Sequence, residues 1–97
     1  MYALRLRHLA ERDAQEITEY YKMNASLKIA KRFLKSLLAE LDFIQEDPML
    51  FQKKYRHTRV RYIKGFPYGI HYIVSEDIIN VIAILHTSRD PRIARNR

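Results

Sequence analysis

The sequence predicts an α+β domain: an N-terminal strand, then an antiparallel helical hairpin, then a three-stranded antiparallel meander. Two changes in the spacing of apolar residues support this order. The period changes from two residues to between three and four near Leu9, and it returns to two near Arg59. Chain length is the third observation, because 97 residues supply enough apolar side chains for one hydrophobic core. We therefore expect residues 1–97 to form a single domain with both helices on one face of the sheet.

The first half of the chain predicts one strand and two helices. Tyr2, Leu4 and Leu6 alternate with small or basic residues, which is typical of a strand with one buried face. Two helical stripes follow, and residues 24–26 (Asn-Ala-Ser) separate them because Asn and Ser favour helix caps. Pro48 ends the second helix. The apolar positions are Ala10, Ala14, Ile17 and Tyr21 in the first stripe and Ala30, Leu34, Leu37, Leu41 and Ile44 in the second.

The second half of the chain predicts three strands. Residues 59–63 alternate between basic and mostly apolar side chains, and residues 64–67 (Lys-Gly-Phe-Pro) end that strand. Tyr68–Ser75 is rich in aromatic and β-branched residues, and an acidic pair at 76–77 forms a tight turn before Ile78–His86. Because Ile78–His86 is apolar along nearly its whole length, we expect it to lie inside the sheet with both faces largely covered.

Basic residues are concentrated in the second half. Residues 1–50 contain eight Lys or Arg and eight Asp or Glu, whereas residues 51–97 contain ten Lys or Arg and three acids. A localised positive surface attracts polyanions or acidic proteins; a solvated basic loop with a basic tail is the alternative. The residues are Lys53, Lys54, Arg56, Arg59, Arg61 and Lys64 before and within the strand, and Arg89, Arg92, Arg95 and Arg97 near the end.

Two groups of residues in this half have side chains suited to chemistry. Arg59 and Arg61 share one face of their strand. With Lys53, Lys54 and Lys64 on the flanking loops, we expect them to form a concave basic surface opposite the helices. At the end of the last strand, His86 and Arg89 flank two hydroxyl residues, a combination suited to proton transfer and phosphate binding. A structural histidine and a local Arg89–Asp90 ion pair are the alternatives.

Composition argues against metal, disulfide and membrane roles. The chain has no cysteine, and its four histidines lack metal-binding spacing, so we expect neither a metal site nor a cofactor. The longest apolar run, residues 81–85, is far shorter than a membrane span, and the N-terminus lacks a signal peptide. We therefore expect a soluble, cytoplasmic protein.

Six apolar residues lie outside the main stripes. A chain of this length has limited capacity to bury them, so we expect an exposed apolar surface that binds a partner protein through an added helix or strand. Packing at the edge of the core is the alternative. The residues are Leu27, Phe33, Leu38, Met49, Leu50 and Phe51.

Two strings in the second half resemble the C-terminal half of the RelE/ParE superfamily of bacterial toxins. They are Phe-Pro-Tyr-Gly-Ile-His-Tyr at 66–72 and Val-Ile-Ala-Ile-Leu-His-Thr-Ser-Arg-Asp-Pro at 81–91. The whole chain also shows the element order of that superfamily, including a Tyr20-Tyr21 pair in the first helix. The Phe-Pro-Tyr segment and the His-x-x-Arg-Asp-Pro ending are more similar to ParE-like members than to RelE-like members.

The resemblance implies the toxin of a bacterial type II toxin–antitoxin module, neutralised by an antitoxin whose extended C-terminal segment wraps it. ParE-like members inhibit DNA gyrase, and RelE-like members cut mRNA in the ribosome. RelE-like sequences typically carry Arg at the position of Gly69 and Tyr near the chain end, and this sequence has neither. We therefore expect the toxin to inhibit gyrase, and the antitoxin to neutralise it by forming a toxin–antitoxin hetero-oligomer. One alternative is a ribosome-dependent mRNA endoribonuclease. The other is a domain without toxic activity that binds the antitoxin and acts as its partner in DNA autoregulation.

The resemblance, together with the basic and apolar patterns above, predicts the roles of individual residues. Target binding is expected from Arg59, Arg61, Lys64, Arg89 and Arg92. Antitoxin binding is expected from Leu27, Phe33, Leu38 and Phe51. If the chain cleaves mRNA, the catalytic residues would be His86, Arg61 and Arg89, with His86 transferring protons and the arginines binding phosphate.

Overall fold

The computed structural model describes residues 1–97, except for the side chain of Arg95. The prediction that Arg95 contributes to the basic surface therefore lies outside the described residues. Two long helices pack against one face of a mixed sheet. In the described chain, no helix combines the length and hydrophobicity needed to cross a membrane. In order, the elements are β1 (Ala3–Leu6), α1 (His8–Asn24), α2 (Leu27–Glu46), β2 (Lys53–Tyr55), β3 (Thr58–Tyr62), β4 (Tyr68–Ser75), β5 (Ile78–His86) and α3 (Arg92–Arg95).

The sheet has the strand order β1-β5-β4-β3-β2. Strands β3, β4 and β5 form the predicted antiparallel meander, with Tyr62 opposite Gly69 and Tyr68 opposite His86. β1 pairs in parallel with the start of β5, so β5 lies inside the sheet as its apolar sequence predicts. The predicted α+β class is confirmed.

The prediction from sequence missed the short strand β2. Lys53–Tyr55 pairs antiparallel with β3, and Lys53 lies opposite Arg59. Arg56 has a positive φ of 47° in the turn between the two strands. Three residues are too few to show a period of two, and this strand forms because β3 offers an edge for pairing. The meander therefore has an additional strand at its outer edge.

α1 and α2 begin and end where their sequence signals predict. The Ser26 hydroxyl accepts a hydrogen bond from the Ile29 N–H at 3.1 Å and caps the start of α2. The prediction that Leu34 faces the core is wrong, because Leu34 is 38% exposed and Phe33 is fully buried. Neighbouring residues on a helix point about 100° apart, so only one of the two can face the sheet. The Phe33 ring fills the space beside Tyr21.

A bulge in β5 decides which side chains reach each face of the sheet. Tyr72 lies opposite Val81 and His71 lies opposite Ala83, so Ile82 is the extra residue. The alternation of side chains reverses there. Val81 packs in the core under the helices, whereas Ala83 packs on the opposite face against α3. The sheet therefore has a large helix-covered core and a smaller apolar cluster on its other side.

Candidate functional site

Arg61 lies under the end of α2, on the helix-covered face of the sheet. Its guanidinium donates to Glu40 Oε1 from Nε at 3.0 Å and from Nη2 at 2.9 Å, and it lies 4.4 Å from the centre of the Phe51 ring. Glu40 is only 5% exposed, and its second oxygen accepts the Lys64 N–H at 3.0 Å. The expectation that Arg61 belongs to a basic surface opposite the helices is therefore wrong. Neighbouring residues on a strand point to opposite faces, and here Val60 is the one that points away from the helices.

Arg59 lies on the same face and holds the segment between α2 and β2. Its Nη1 donates to the Phe51 carbonyl at 2.6 Å, and its Nη2 lies 3.3 Å from the sulfur of Met49. Met49 and Leu50 in this segment are exposed, as predicted. The expectation that Arg59 belongs to a surface opposite the helices is wrong for the same reason as for Arg61: residues two apart on a strand share a face, and α2 covers this one.

His86 lies at the end of β5, beside two cavities. Its Nδ1 accepts the Ser88 N–H at 3.1 Å and lies 2.8 Å from the Ser88 hydroxyl oxygen, and its ring packs edge-on against Tyr68. Because Nδ1 is an acceptor, the neutral ring carries its proton on Nε2. His86 can therefore donate a hydrogen bond from Nε2 at this end of the sheet.

The structure brings together only two of the three residues considered for mRNA cleavage. His86 and Arg89 line the same two cavities at the end of the sheet. Arg61 lines neither cavity and is ion-paired with Glu40. The three side chains therefore do not form one site.

Three of the five residues expected to bind a target have exposed side chains: Lys64, Arg89 and Arg92. Asp90 holds Arg92, with 2.6 Å between Oδ2 and Nη2 and 2.8 Å between Oδ2 and Nε. All three side chains face solvent, and Arg92 does so within its ion pair. Those of Arg59 and Arg61 are used for contacts inside the protein.

A cavity of about 270 Å³ opens on the face of the sheet opposite α1 and α2. Val60, Gly69 and Leu85 form its buried floor, and its exposed rim carries Lys54, Tyr62 and Arg89. A Cβ on Gly69 would lie 3.0 Å from Val60 Cγ1 and 3.4 Å from the Tyr62 ring. A glycine inside a predicted strand was the sequence signal for this close approach. Lys54 lies on the face where the sequence predicted a basic surface, whereas no sequence signal pointed to Tyr62.

His71 lies beside this floor and is buried. Its Nδ1 is 2.8 Å from the Tyr55 hydroxyl oxygen. Burial, and then the positive charge of Arg97, lower the pKa of His71 from 6.5 to about 4, against an opposing effect of Asp13. His71 is therefore neutral near pH 7 and adds no charge to the cavity.

An ion pair between α1 and the C-terminal segment closes an edge of β5. β1 ends opposite Val81, and beyond that point no strand of the described chain lies on this side of β5. Asp13 accepts the Ile84 N–H at 2.9 Å, and Arg97 donates to both Asp13 oxygens at 2.6 and 3.1 Å. Arg97 also donates to the Ile82 carbonyl at 3.1 Å. The sequence does not predict this pair, because 84 residues separate its members and no local pattern joins them.

The residues expected to bind an antitoxin do not form one patch. Leu27 and Leu38 are 54% and 60% exposed along α2, and Leu34 lies between them. Phe51 is half-buried beyond the other end of the helix. The expectation of an exposed Phe33 is wrong, because its ring fills the core between the helices and the sheet. Leu34 takes its place on the exposed stripe.

Comparisons with known proteins identify the family of this chain. Among curated proteins, none matches it. A solved structure of the chromosomal ParDE TA system from P. aeruginosa contains a chain with a similar fold, with a TM-score of 0.80 and 15% sequence identity over 89% of this chain and 96% of that one. A family model described as the ParE toxin of type II toxin-antitoxin system, parDE, matches residues 4–91. The resemblance to ParE-like members of the RelE/ParE superfamily is thereby confirmed, and the chain belongs to the ParE toxin family of type II toxin–antitoxin systems.

Proposed function

We propose that this ParE-family toxin inhibits DNA gyrase by protein contact and that a cognate antitoxin neutralises it in a hetero-oligomeric complex. Residues 1–97 act as one toxin domain in the bacterial cytoplasm. Family membership supports the pairing with an antitoxin and the choice of gyrase. The geometry of the basic residues supports binding rather than catalysis.

The separation of Arg61 from His86 is the observation that carries the choice of gyrase over mRNA cleavage. The nuclease considered above uses His86 together with two arginines, Arg61 and Arg89, at the same phosphate. Arg61 is bound to Glu40 on the helix-covered face. Gly69 supplies no side chain at the position where RelE-like sequences carry Arg. His86 and Arg89 are then the remaining candidates for catalytic residues, and the second arginine of the proposed nuclease site is absent from them.

Exposed cations near the end of the sheet provide the docking surface for the target. Arg89, Arg92 and Lys64 present their charges to solvent. Such charges accelerate association with an acidic partner and favour the correct orientation, and their effect weakens as salt increases. Arg59 and Arg61 act indirectly, because they hold the apolar segment at residues 47–52 in place.

The first experiment compares gyrase supercoiling with ribosome-dependent mRNA cleavage, using one preparation of toxin over a concentration series. We expect inhibition of supercoiling without cleavage. Cleavage without inhibition would replace this proposal with the mRNA endoribonuclease. Absence of both activities in a toxin that still binds antitoxin would indicate an antitoxin-binding domain without toxic activity.

Charge reversal tests the docking surface. Arg89→Glu with Arg92→Glu should raise the toxin concentration needed for half-inhibition by about tenfold or more, because two attractive charges become repulsive. Lys22→Glu with Arg5→Glu changes the net charge equally at exposed positions elsewhere and should alter inhibition by less than about twofold. Unchanged inhibition by the first variant would contradict the docking role.

The exposed stripe of Leu27, Leu34 and Leu38 on α2 is the surface we assign to the antitoxin. Intervals of seven and four residues place these side chains on one line along the helix. Residues 27–39 contain four cations and no acid, so an acidic amphipathic segment is the complementary partner. Because α2 is about 30 Å long, a segment that also reaches Phe51 must be extended.

Substitutions on this stripe separate antitoxin binding from toxicity. Leu34→Glu with Leu38→Glu should weaken antitoxin binding by about tenfold or more, because charge enters an apolar contact, while supercoiling inhibition changes by less than about twofold. Met23→Glu is the matched control, because Met23 is 74% exposed on α1, outside the stripe. Calorimetry with purified cognate antitoxin measures the affinity of the double variant and that of the Met23→Glu control. An unchanged affinity of the double variant would place the antitoxin on another surface.

A further inference from the structure

The cavity on the sheet face opposite α1 and α2 is lined by a set of side chains that gyrase docking does not explain. Among the described residues that line it, none is acidic, whereas Lys54 and Arg89 stand at its rim. Neither cation takes part in an ion pair within the described chain, whereas Arg61, Arg92 and Arg97 each do. The cavity therefore holds uncompensated positive charge, and this charge favours an anionic ligand.

Uncharged donors accompany the two cations. Thr87 and Tyr62, which carry hydroxyl groups, line the cavity. His86 also lines it, and its neutral ring carries the proton on Nε2 because Nδ1 accepts from Ser88. A phosphate group presents at least three strong acceptor oxygens, whereas a carboxylate presents two. The number of donors around this cavity therefore matches a phosphate better than a carboxylate.

The Tyr62 ring gives the rim a second kind of contact. It is 52% exposed, and Lys54 Nζ lies 5.9 Å from its centre. A nucleobase can stack on an exposed ring of this kind while an attached phosphate reaches the neighbouring cations. A volume of about 270 Å³ lies just below the usual range for ligand sites, so the ligand is small, no larger than about one nucleotide. Gly69 adds no side chain to the floor, where a Cβ would lie only 3.0 Å from Val60 Cγ1.

We propose that this cavity binds a nucleoside phosphate, with the phosphate between Lys54 and Arg89 and the base on Tyr62. The ligand is a free nucleotide or one nucleotide of a single-stranded nucleic acid, and no bond is broken. This inference goes beyond the proposed function, and its test contains no gyrase and no antitoxin.

The test titrates thymidine 5′-monophosphate into the labelled toxin and follows the backbone amide signals by NMR. We expect saturable shifts at Gly69 and Thr87. Lys54→Gln and Arg89→Gln should each weaken binding by about tenfold, because each removes a charge-assisted hydrogen bond. Tyr62→Leu should weaken it by about fivefold through loss of stacking. Lys22→Gln, an equal change of charge on α1, should change it by less than about twofold.

Further probes identify the source of the nucleotide. A short oligothymidylate that binds more tightly than the monophosphate, and loses affinity in the same variants, indicates nucleic acid. Tighter binding of the monophosphate indicates a free nucleotide. Amide signals outside the cavity that match those of the unmodified toxin show that each variant is folded.

Three results would overturn the proposal. The first is the absence of saturable shifts with either probe. The second is an equal loss of affinity in Lys22→Gln, which would indicate general attraction to a basic protein. The third is displacement of the monophosphate by a glutamate-rich peptide of equal affinity, which would make the cavity a site for an acidic protein segment.

Discussion

Glu40 is the residue on which the position of Arg61 depends. Its buried carboxylate accepts two hydrogen bonds from Arg61 and one from the Lys64 backbone. Glu40→Ala leaves the guanidinium without its anion. We expect the free energy of unfolding, measured in urea, to fall by about 2–3 kcal/mol, less than for a fully buried pair because Arg61 is partly exposed.

A double variant separates structure from target contact at this pair. Glu40→Met with Arg61→Met should recover most of the lost stability, because neither charge is left unpaired. The same variant should still inhibit supercoiling if Arg61 acts by supporting the fold. Stability as low as that of Glu40→Ala would contradict the role of the pair as a buried ion pair.

At the scale of the element, the edge of β5 shows how a strand is completed by side chains. The parallel partner β1 stops before the bulge, and Asp13 and Arg97 then bind the exposed backbone groups of Ile84 and Ile82. An open edge would invite pairing with another chain, and these two side chains cover it. They also fix the C-terminal segment to α1.

Asp13→Asn tests this arrangement, because it removes the charge that Arg97 binds and leaves a weaker acceptor for the Ile84 N–H. We expect a loss of about 1–2 kcal/mol in the free energy of unfolding and about tenfold faster hydrogen exchange at Ile84. Glu16→Gln is the control, since Glu16 forms an exposed ion pair with Arg12 worth under about 0.5 kcal/mol. Equal losses in the two variants would show that the Asp13 pair does not close the strand edge.

At the scale of the whole molecule, His71 couples stability to pH. Its pKa is lowered from 6.5 to about 4 by burial and by Arg97, so between these values the unfolded chain binds a proton that the folded protein does not. Stability is therefore lost as pH falls from about 6.5 toward 4, by up to about 1.4 kcal/mol per pH unit, and this contribution is constant above that range.

Chemical denaturation at a series of pH values measures this dependence. His71→Gln should flatten the curve between pH 6.5 and 5, where carboxylates contribute little. A slope identical to that of the unmodified protein would mean that His71 is not the group that titrates.

The sequence by itself determined the first strand, the two long helices, the three strands of the meander and the family. Ser26 caps the start of α2, and Pro48 lies just beyond its end. Both residues act through interactions within a few residues, so their effects are visible in the sequence. The apolar run at Ile78–His86 placed β5 inside the sheet, because a strand covered on both faces needs apolar side chains on both. The strings at 66–72 and 81–91 pointed to ParE-like toxins, and the family match over residues 4–91 bears this out.

Only the tertiary structure decided which face each side chain occupies and which distant residues meet. An alternating strand has two faces, but its sequence does not say which one the helices cover, so Arg59 and Arg61 were placed on the wrong side. The Asp13–Arg97 pair and the strand β2 also depend on partners far along the chain or on a neighbouring edge. Such contacts form only when the sheet has assembled, because chain folding and not local preference brings their members together.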